Sequence, residues 1–377
     1  MKILQIADYF DSSTGNPLAI ITRLLSKKNY IKVLTSNIKE KGQFSDKNSE
    51  FEIARKFGFK TGKKACIPAI PIALLADKSD IWHCHVLGFF STFCCSVIRK
   101  IKGTPLVITP DFDVRGETPP IWKKPYYFLF FKLPLLMADA IVPFSNMERD
   151  ELARRFNISI AKFRVVPIGI EFEKFQRKPK LDWKKKLNLE NKFIILTVSF
   201  LIPKKNIEMM LSALKEVNNQ NNQNNDFVFV HCGGFPDENY RRKIFAEVKK
   251  LGLEKKVIFL GKKNLSEIID IYKIGDIFLN TGFRESYCIP IIEAMASSLA
   301  VISTSAGIAG QAIENGKNGF IAETSREVAN NINYLMKNRK KLEEMRKNAK
   351  KTAEKFKWET SIEILEDTYE KVRRNKK

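Results

Sequence analysis

Histidine is nearly absent from this chain, with three residues in 377. The six cysteines, Cys66, Cys84, Cys94, Cys95, Cys232 and Cys288, contain no C-x-x-C pair. Structural zinc sites draw on these two residue types, so this composition argues against one. The triplet His83-Cys84-His85 does not change that. On a strand the two histidines share one face and Cys84 takes the other. The opening MKILQIADYF lacks a long apolar region and reads as a strand, not a secretory leader. Free thiols in a reducing compartment are therefore expected. Also missing is any apolar run of about 18 residues, the length a spanning helix needs. The nearest stretch, 126–144, is broken by Lys132, Pro134 and Asp139. Acid is scarce relative to base: 42 Asp and Glu stand against 65 Lys and Arg, a formal net charge of +23. That favours an anionic partner such as nucleic acid, an acidic membrane or a phosphorylated ligand. Much of the charge is lysine on helix faces, where solvation alone explains it. No nucleic-acid-binding motif accompanies it, so no nucleic-acid partner is expected.

What is abundant is apolar sequence in short runs, within a 44% hydrophobic composition that supports packed cores. Continuous apolar strands are predicted at 2–7, 31–35, 80–84, 105–109, 139–144 and 163–167. A second series follows at 193–199, 226–232, 256–260, 275–280 and 299–304. Such strands are buried on both faces, as in parallel sheets. Helical stretches such as 206–217 and 237–251 lie between them, which predicts two doubly wound α/β domains. A charged stretch at 171–182, containing Pro179, marks the boundary. The Asn/Gln run 218–225 reads as a solvated loop, and the charged tail from 325 as helical. In doubly wound domains ligands meet the loops at the carboxyl ends of the strands.

The loop after the 275–280 strand is the most informative. Residues 281–296 read TGFRESYCIPIIEAMA, with Glu285 and Glu293 separated by seven residues. One carboxylate on the loop and one on the following helix would both lie at the top of the sheet. The backbone N–H groups of 286–289 would open a helix N-terminus, where an anion is favoured. Carboxylates beside a phosphate suit a ligand that also offers hydroxyls, such as a sugar and a ribose. Spacing by itself does not separate this from a helix with an acidic first turn and one coincidental glutamate.

Together with its flanks, this segment resembles glycosyltransferase family 4. The 281–296 run resembles the family's E-x7-E motif, and Gly275-Asp276 its "AD". LAVISTSAG at 299–307 is similar to "PVVATDVGG", and ENGKNGF at 314–320 to "EDGKNGL". Towards the N-terminus, residues 1–15 resemble the first strand and its Gly-bearing loop. DIWHCHVLG at 80–88 is similar to "DVVHAHG", and PLVITPDFD at 105–113 to "PLVLTPHFD". ADAIVPFS at 138–145 is similar to "ADAVIAVS", and VVPIGI at 165–170 to "VIPNGVD". Trp358 resembles the tryptophan before the family's final helix. The likeness covers nearly the whole chain.

The resemblance implies a GT-B fold, two Rossmann-like doubly wound domains facing a central cleft. It implies an acceptor-side domain at 1–175, a nucleotide-sugar domain at 176–355 and a helix at 356–377 crossing back to the first domain. It further implies a retaining glycosyltransferase that moves a sugar from a nucleotide-diphosphate-sugar to an acceptor hydroxyl. The enzyme would need neither metal nor cofactor, and the acceptor would be lipid-linked or a polysaccharide of the cell envelope. Glu293 would bind the ribose, and Glu285 would sit near the donor sugar. Backbone amides of Ser286, Tyr287, Cys288 and Ile289 would approach the diphosphate with Lys205. Gly15 matches the glycine of the family's first loop, with an ordinary strand-to-helix turn as the plainer reading. Gly233-Gly234 reads as a close-approach loop.

Two departures stand out. The family's "GRLxxxKG" reads SFLIPKKN at 199–206, so Phe200 stands where an Arg would offer a planar fork to phosphate oxygens. Lys204 is a second point charge beside Lys205. In the "TPHF" segment Asp111 replaces the histidine near the reacting sugar and becomes a catalytic candidate with Glu285. His85, at a strand end, is read first as a satisfied structural histidine and second as an acceptor contact. The departures keep a rival open: a non-catalytic relative that binds a sugar nucleotide or a partner enzyme. Another GT-B enzyme, such as an epimerase, is disfavoured by the E-x7-E run. The segment 121–137, IWKKPYYFLFFKLPLLM, interleaves aromatics, aliphatics and lysine. It predicts peripheral attachment of a cytoplasmic protein to an anionic membrane surface. Pro125 and Pro134 should confine any helix there to a short stretch, and packing into the core is the competing reading.

Overall fold

The computed structural model describes residues 1–12, 16–38, 50–62, 64–112, 123–220, 226–283 and 285–375. The chain divides into two compact units, Met1–Gly169 with Trp358–Lys377, and Ile170–Lys357. The first unit contains strands β1 (Lys2–Ile6), β2 (Tyr30–Ser36), β3 (Glu52–Lys56), β4 (Phe59–Thr61), β5 (Lys64–Cys66), β6 (Ile81–His85), β7 (Leu106–Thr109) and β8 (Ala140–Ile141). Six of them form a sheet in the order β3-β2-β1-β6-β7-β8, and β4 and β5 pair antiparallel apart from it. The second unit contains β9 (Phe193–Val198), β10 (Phe227–Cys232), β11 (Val257–Phe259), β12 (Ile277–Asn280), β13 (Ala300–Ser303) and β14 (Gly319–Ile321). Their order is β11-β10-β9-β12-β13-β14. Every pairing within the two large sheets is parallel. Both are doubly wound Rossmann sheets whose order reverses at the first strand, so the switch points lie between β1 and β6 and between β9 and β12.

The predicted central strands are there, buried along almost their whole length: β6, β7, β10, β12 and β13 are buried at every residue. The differences fall at the edges. The stretch 139–144 contributes only two paired residues, because Pro143 has no N–H for a ladder. The stretch 163–167 makes a single bridge, Ile141 to Phe163, before Pro167. Polar EIARK and the three residues GFI escaped the pattern because edge strands bury little side chain. The helix Ile207–Gln220 overruns its predicted end, so residues 218–220 are its last turn and not a loop. Val217 is buried in the core there, and Asn333 Nδ2 donates to Gln220 Oε1 at 2.6 Å.

Two further elements matter for the sites. The helix Trp358–Arg374 packs within the first unit, where the buried Tyr369 hydroxyl meets His83 Nδ1 at 2.6 Å. The segments Lys124–Tyr127, Phe128–Lys132 and Leu133–Met137 run on as one helix with a π turn at their middle. Pro134 does not break it. The carbonyl of Phe130, left without a helical donor by that proline, accepts the N–H of Gly88 at 3.1 Å. Tyr127 and Phe131 stack on each other at 4.7 Å and lean on the core, while Phe128 and Leu129 stay exposed. Ile121 and Trp122 lie outside the described residues. No described helix is long and apolar enough to cross a membrane.

Candidate functional site

In the second unit, β12 ends at Asn280 and the helix Ile289–Ala296 begins nine residues further on, with Cys288 as its N-cap. The loop between them is pinned from three sides. Thr281 Oγ1 donates to Asn206 O at 2.8 Å and Lys205 O at 3.1 Å. Phe283 N donates to Lys204 O at 3.2 Å, and Thr304 Oγ1 to Gly282 O at 2.5 Å. Cys288 takes a left-handed φ of 71°, with Sγ 3.7 Å from Asn280 Oδ1. Gly307, at φ 64°, lies under Tyr287, and a Cβ there would fall 2.4 Å from the Tyr287 carbonyl oxygen. Only glycine lets that turn support the loop. The helix therefore opens with N–H groups that have no intrahelical partner, and Pro290 in its first turn has no N–H to lose.

Lys205 Nζ pairs with Glu285 Oε1 at 2.5 Å, the two side chains 12% and 7% exposed. Burial pulls the lysine pKa down, but Cys288 and Glu285 outweigh it and leave it above its ordinary value. The Cys288 thiol is itself pushed up to about 12 by burial. Glu293, on the helix, accepts a hydrogen bond from the Tyr272 hydroxyl at 2.9 Å. Burial raises its pKa to about 7, against the lowering effect of that bond. Tyr287 and Cys288 turn their side chains into the core, so backbone is what they offer a ligand. Ser286 and Ile289 are half-buried and Lys204 is exposed.

Beside this loop is a cavity of about 280 Å³, lined by Phe200, Lys205, Gly233, Gly234, Lys262 and Lys263 among others. Gly233 has no room for a side chain: a Cβ would fall 1.8 Å from Ser199 O. The Phe200 ring is 57% exposed at this cavity. Lys262, Lys263 and Tyr272 were not anticipated. The lysines carried a signal, two cations one glycine beyond the predicted strand 256–260; Tyr272 carried none.

The first unit has its own cavity, about 350 Å³, at the carboxyl ends of β1, β6 and β7. Asp8, Asn16, His85, Val86, Phe89 and Asp111 are among its lining. Asn16 caps the helix Pro17–Ser26 through its side chain, which accepts from Leu18 N at 3.0 Å. Gly15 lies outside the described residues. The satisfied histidine is His83, held by Tyr369 and by Thr109 Oγ1 at 2.8 Å. His85 is the open one. Its ring lies 4.1 Å from that of His83, and its Nε2 has no hydrogen-bond partner among the described residues. Burial lowers its pKa to about 3, so it is neutral. Among the described residues no group of three or more His, Cys, Asp or Glu is placed to hold a metal ion.

Asp111 has a left-handed φ of 43°, and loss of hydration raises its carboxyl pKa. Behind it is a group that sequence reading missed. Glu148 is fully buried, and its two oxygens accept Phe112 N and Phe144 N, each at 2.7 Å. It thereby ties the loop after β7 to the loop after β8. Burial pushes its pKa up to about 8, against both hydrogen bonds, with Asp111 adding to the rise. The signal was present in Ser145-x-x-Glu148, a capping-box spacing. Ser145 Oγ does accept Glu148 N at 3.2 Å, but the carboxylate reaches past its own helix.

The family profile described as Glycosyltransferase Family 4 matches residues 19–174, and that described as Glycosyl transferases group 1 matches residues 179–352. D-inositol 3-phosphate glycosyltransferase of Rhodococcus jostii is 25% identical over 236 residues, which cover 62% of this chain and 52% of that protein. The match thus spans about half the length of that curated relative. Among solved structures, a glycosyltransferase of Rickettsia africae ESF-5 superposes with a TM-score of 0.80 at 19% identity, covering 99% of each chain. Anabaena Alr3699/HepE in complex with UDP gives a TM-score of 0.77 at 19% identity, covering 98% of this chain and 100% of that one.

Proposed function

Since the chain belongs to glycosyltransferase family 4 and has the GT-B fold, we propose that it is a retaining glycosyltransferase using a nucleotide-diphosphate-sugar. The bond from the anomeric carbon to the diphosphate oxygen breaks, one from that carbon to the acceptor's hydroxyl oxygen forms, and the hydroxyl proton leaves with the nucleoside diphosphate. The observation that carries this reading is the Lys205–Glu285 pair beside the open N-terminus of the Ile289–Ala296 helix. A diphosphate meets a cation and backbone N–H groups there, and Glu285 is released toward sugar hydroxyls. Glu293 takes the ribose hydroxyls. The UDP held by the Anabaena relative supports a nucleotide diphosphate as ligand. In the first unit Asp111 and His85 face the acceptor. The reading needs no metal and no cofactor. It places the protein at the cytoplasmic face of a membrane, in assembly of a lipid-linked or envelope polysaccharide product.

Calorimetry with UDP and GDP tests the donor site. Glu293→Ala should weaken nucleotide binding by about 1.5–3 kcal/mol, the scale of hydrogen bonds to a charged group. Unchanged affinity removes Glu293 from the site. Phe200 and Asp111 motivate the second reading, a non-catalytic relative that binds a sugar nucleotide or a partner enzyme. Phe200→Arg separates the two. If the missing guanidinium limits the reaction, this change raises turnover of the donor in a transfer or hydrolysis assay. Nucleotide binding with no turnover in either protein favours the non-catalytic reading.

A further inference from the structure

Eight of the 18 exposed large hydrophobic side chains among the described residues lie on three adjoining helical segments of the first unit. The helix Ile70–Ala76 presents Ile72, 74% exposed, and Leu75 one turn later. The helix Phe90–Lys102 presents Val97 and Ile101, the latter 76% exposed, also one turn apart. The helical run from Lys124 to Met137 presents Tyr126, Phe128, Leu129 and Leu136. Phe90–Lys102 packs against both of the others, so the three form one layer. None of the three segments contains an aspartate or a glutamate; Asp77 beside the first accepts Trp82 Nε1 at 2.8 Å and Asp139 beside the third pairs with Arg99 at 2.6 Å, while Lys100, Lys102, Lys123, Lys124 and Lys132 lie on or beside the segments. Contiguous exposed apolar surface of this kind marks an interaction site. An apolar face bordered by lysines, with its two neighbouring aspartates already engaged, matches a bilayer of anionic lipid, where the side chains enter the acyl boundary and the lysines meet headgroups.

The face is also coupled to the first unit's cavity. Gly88 donates its N–H to Phe130 O and accepts the Tyr126 hydroxyl at 3.1 Å. Its neighbours Val86 and Phe89 line the cavity that contains Asp111 and His85. One loop thus borders the cavity and clamps the exposed helix. We propose that this three-helix layer is a membrane-docking face, and that the acceptor is a bilayer amphiphile whose hydroxyl headgroup enters past the Val86–Phe89 loop. The second half of the proposal rests on the glycosyltransferase reading; the first does not.

The test is co-sedimentation of the full chain with phosphatidylcholine vesicles, with and without about one-third phosphatidylglycerol. The wild type should partition onto the anionic vesicles, and added salt should release it. Val97→Ser with Ile101→Ser, which lie outside the aromatic segment, should weaken partitioning roughly tenfold or more, as should Phe128→Ser with Leu129→Ser. Leu265→Ser, exposed in the second unit, should leave it unchanged. All five positions are exposed, and melting curves confirm that each variant is folded. A wild type that stays in the supernatant, or variants that partition like the wild type, overturns the proposal. So does lipid-free dimerisation abolished by Val97→Ser with Ile101→Ser, which would make a second copy the occupant. Calorimetry with UDP and GDP on the same proteins keeps the two readings apart. Intact nucleotide binding without partitioning sinks the docking face alone, and absent binding of both UDP and GDP with partitioning counts against the glycosyltransferase reading alone.

Discussion

Lys205→Met should destabilise the protein by about 3–5 kcal/mol, the usual consequence of stranding one partner of a buried ion pair. Glu285, 7% exposed, would keep its charge without its cation or leave its position over Gly282. Restoring neutrality with Lys205→Met and Glu285→Leu together should recover most of the loss, because a buried pair is worth little against apolar groups of similar size. Urea denaturation of the two variants decides it. A single-variant loss below about 1 kcal/mol would mean that water screens the pair. The same substitution reports on the ligand. A diphosphate carries the charge that Lys205 would meet, so UDP affinity should fall far more than uridine affinity. Equal losses would move the diphosphate elsewhere.

Glu148→Ala should cost about 1–4 kcal/mol, since the buried Phe112 N–H left unpaired costs roughly 1–3 kcal/mol and the half-buried Phe144 N–H costs less. The pH dependence has a definite sign. The folded pKa of about 8 lies above the ordinary 4.5, so between these values the native state holds a proton that the unfolded chain has released. Stability from this group is therefore highest at acidic pH and declines as pH rises through that window. Glu148→Gln should flatten this decline, although one of its amide groups faces an N–H donor and some stability is lost. A Glu148→Gln protein whose stability falls as steeply as the wild type's from pH 5 to 8 would assign the decline elsewhere. Because Phe112 follows Asp111 directly, Glu148→Gln should also change turnover more than donor affinity.

The positions of the central strands were legible because each is apolar along its length, the pattern expected of burial on both faces; their order in the sheets was not. Beyond the edge strands, sequence pattern also misjudged the helix around Pro134. That proline's cost is set by whether another group satisfies the freed Phe130 carbonyl, and Gly88 is distant in sequence. The motif residues of the second unit were legible as types at a spacing. Their pairing was not, because Lys205 and Glu285 meet across 80 residues.

The sequence by itself determined the family, through its resemblance in motifs along the chain, and the two doubly wound domains, through the pattern of its apolar strands. Tertiary structure alone decided which histidine is satisfied, which carboxyl is buried behind Asp111 and which lysine is already paired. It alone gathered the exposed side chains of three separate helices onto one face. Each of these depends on burial and on contacts between distant segments. A side chain's charge state and exposure are properties of what packs around it, which only the folded chain assembles.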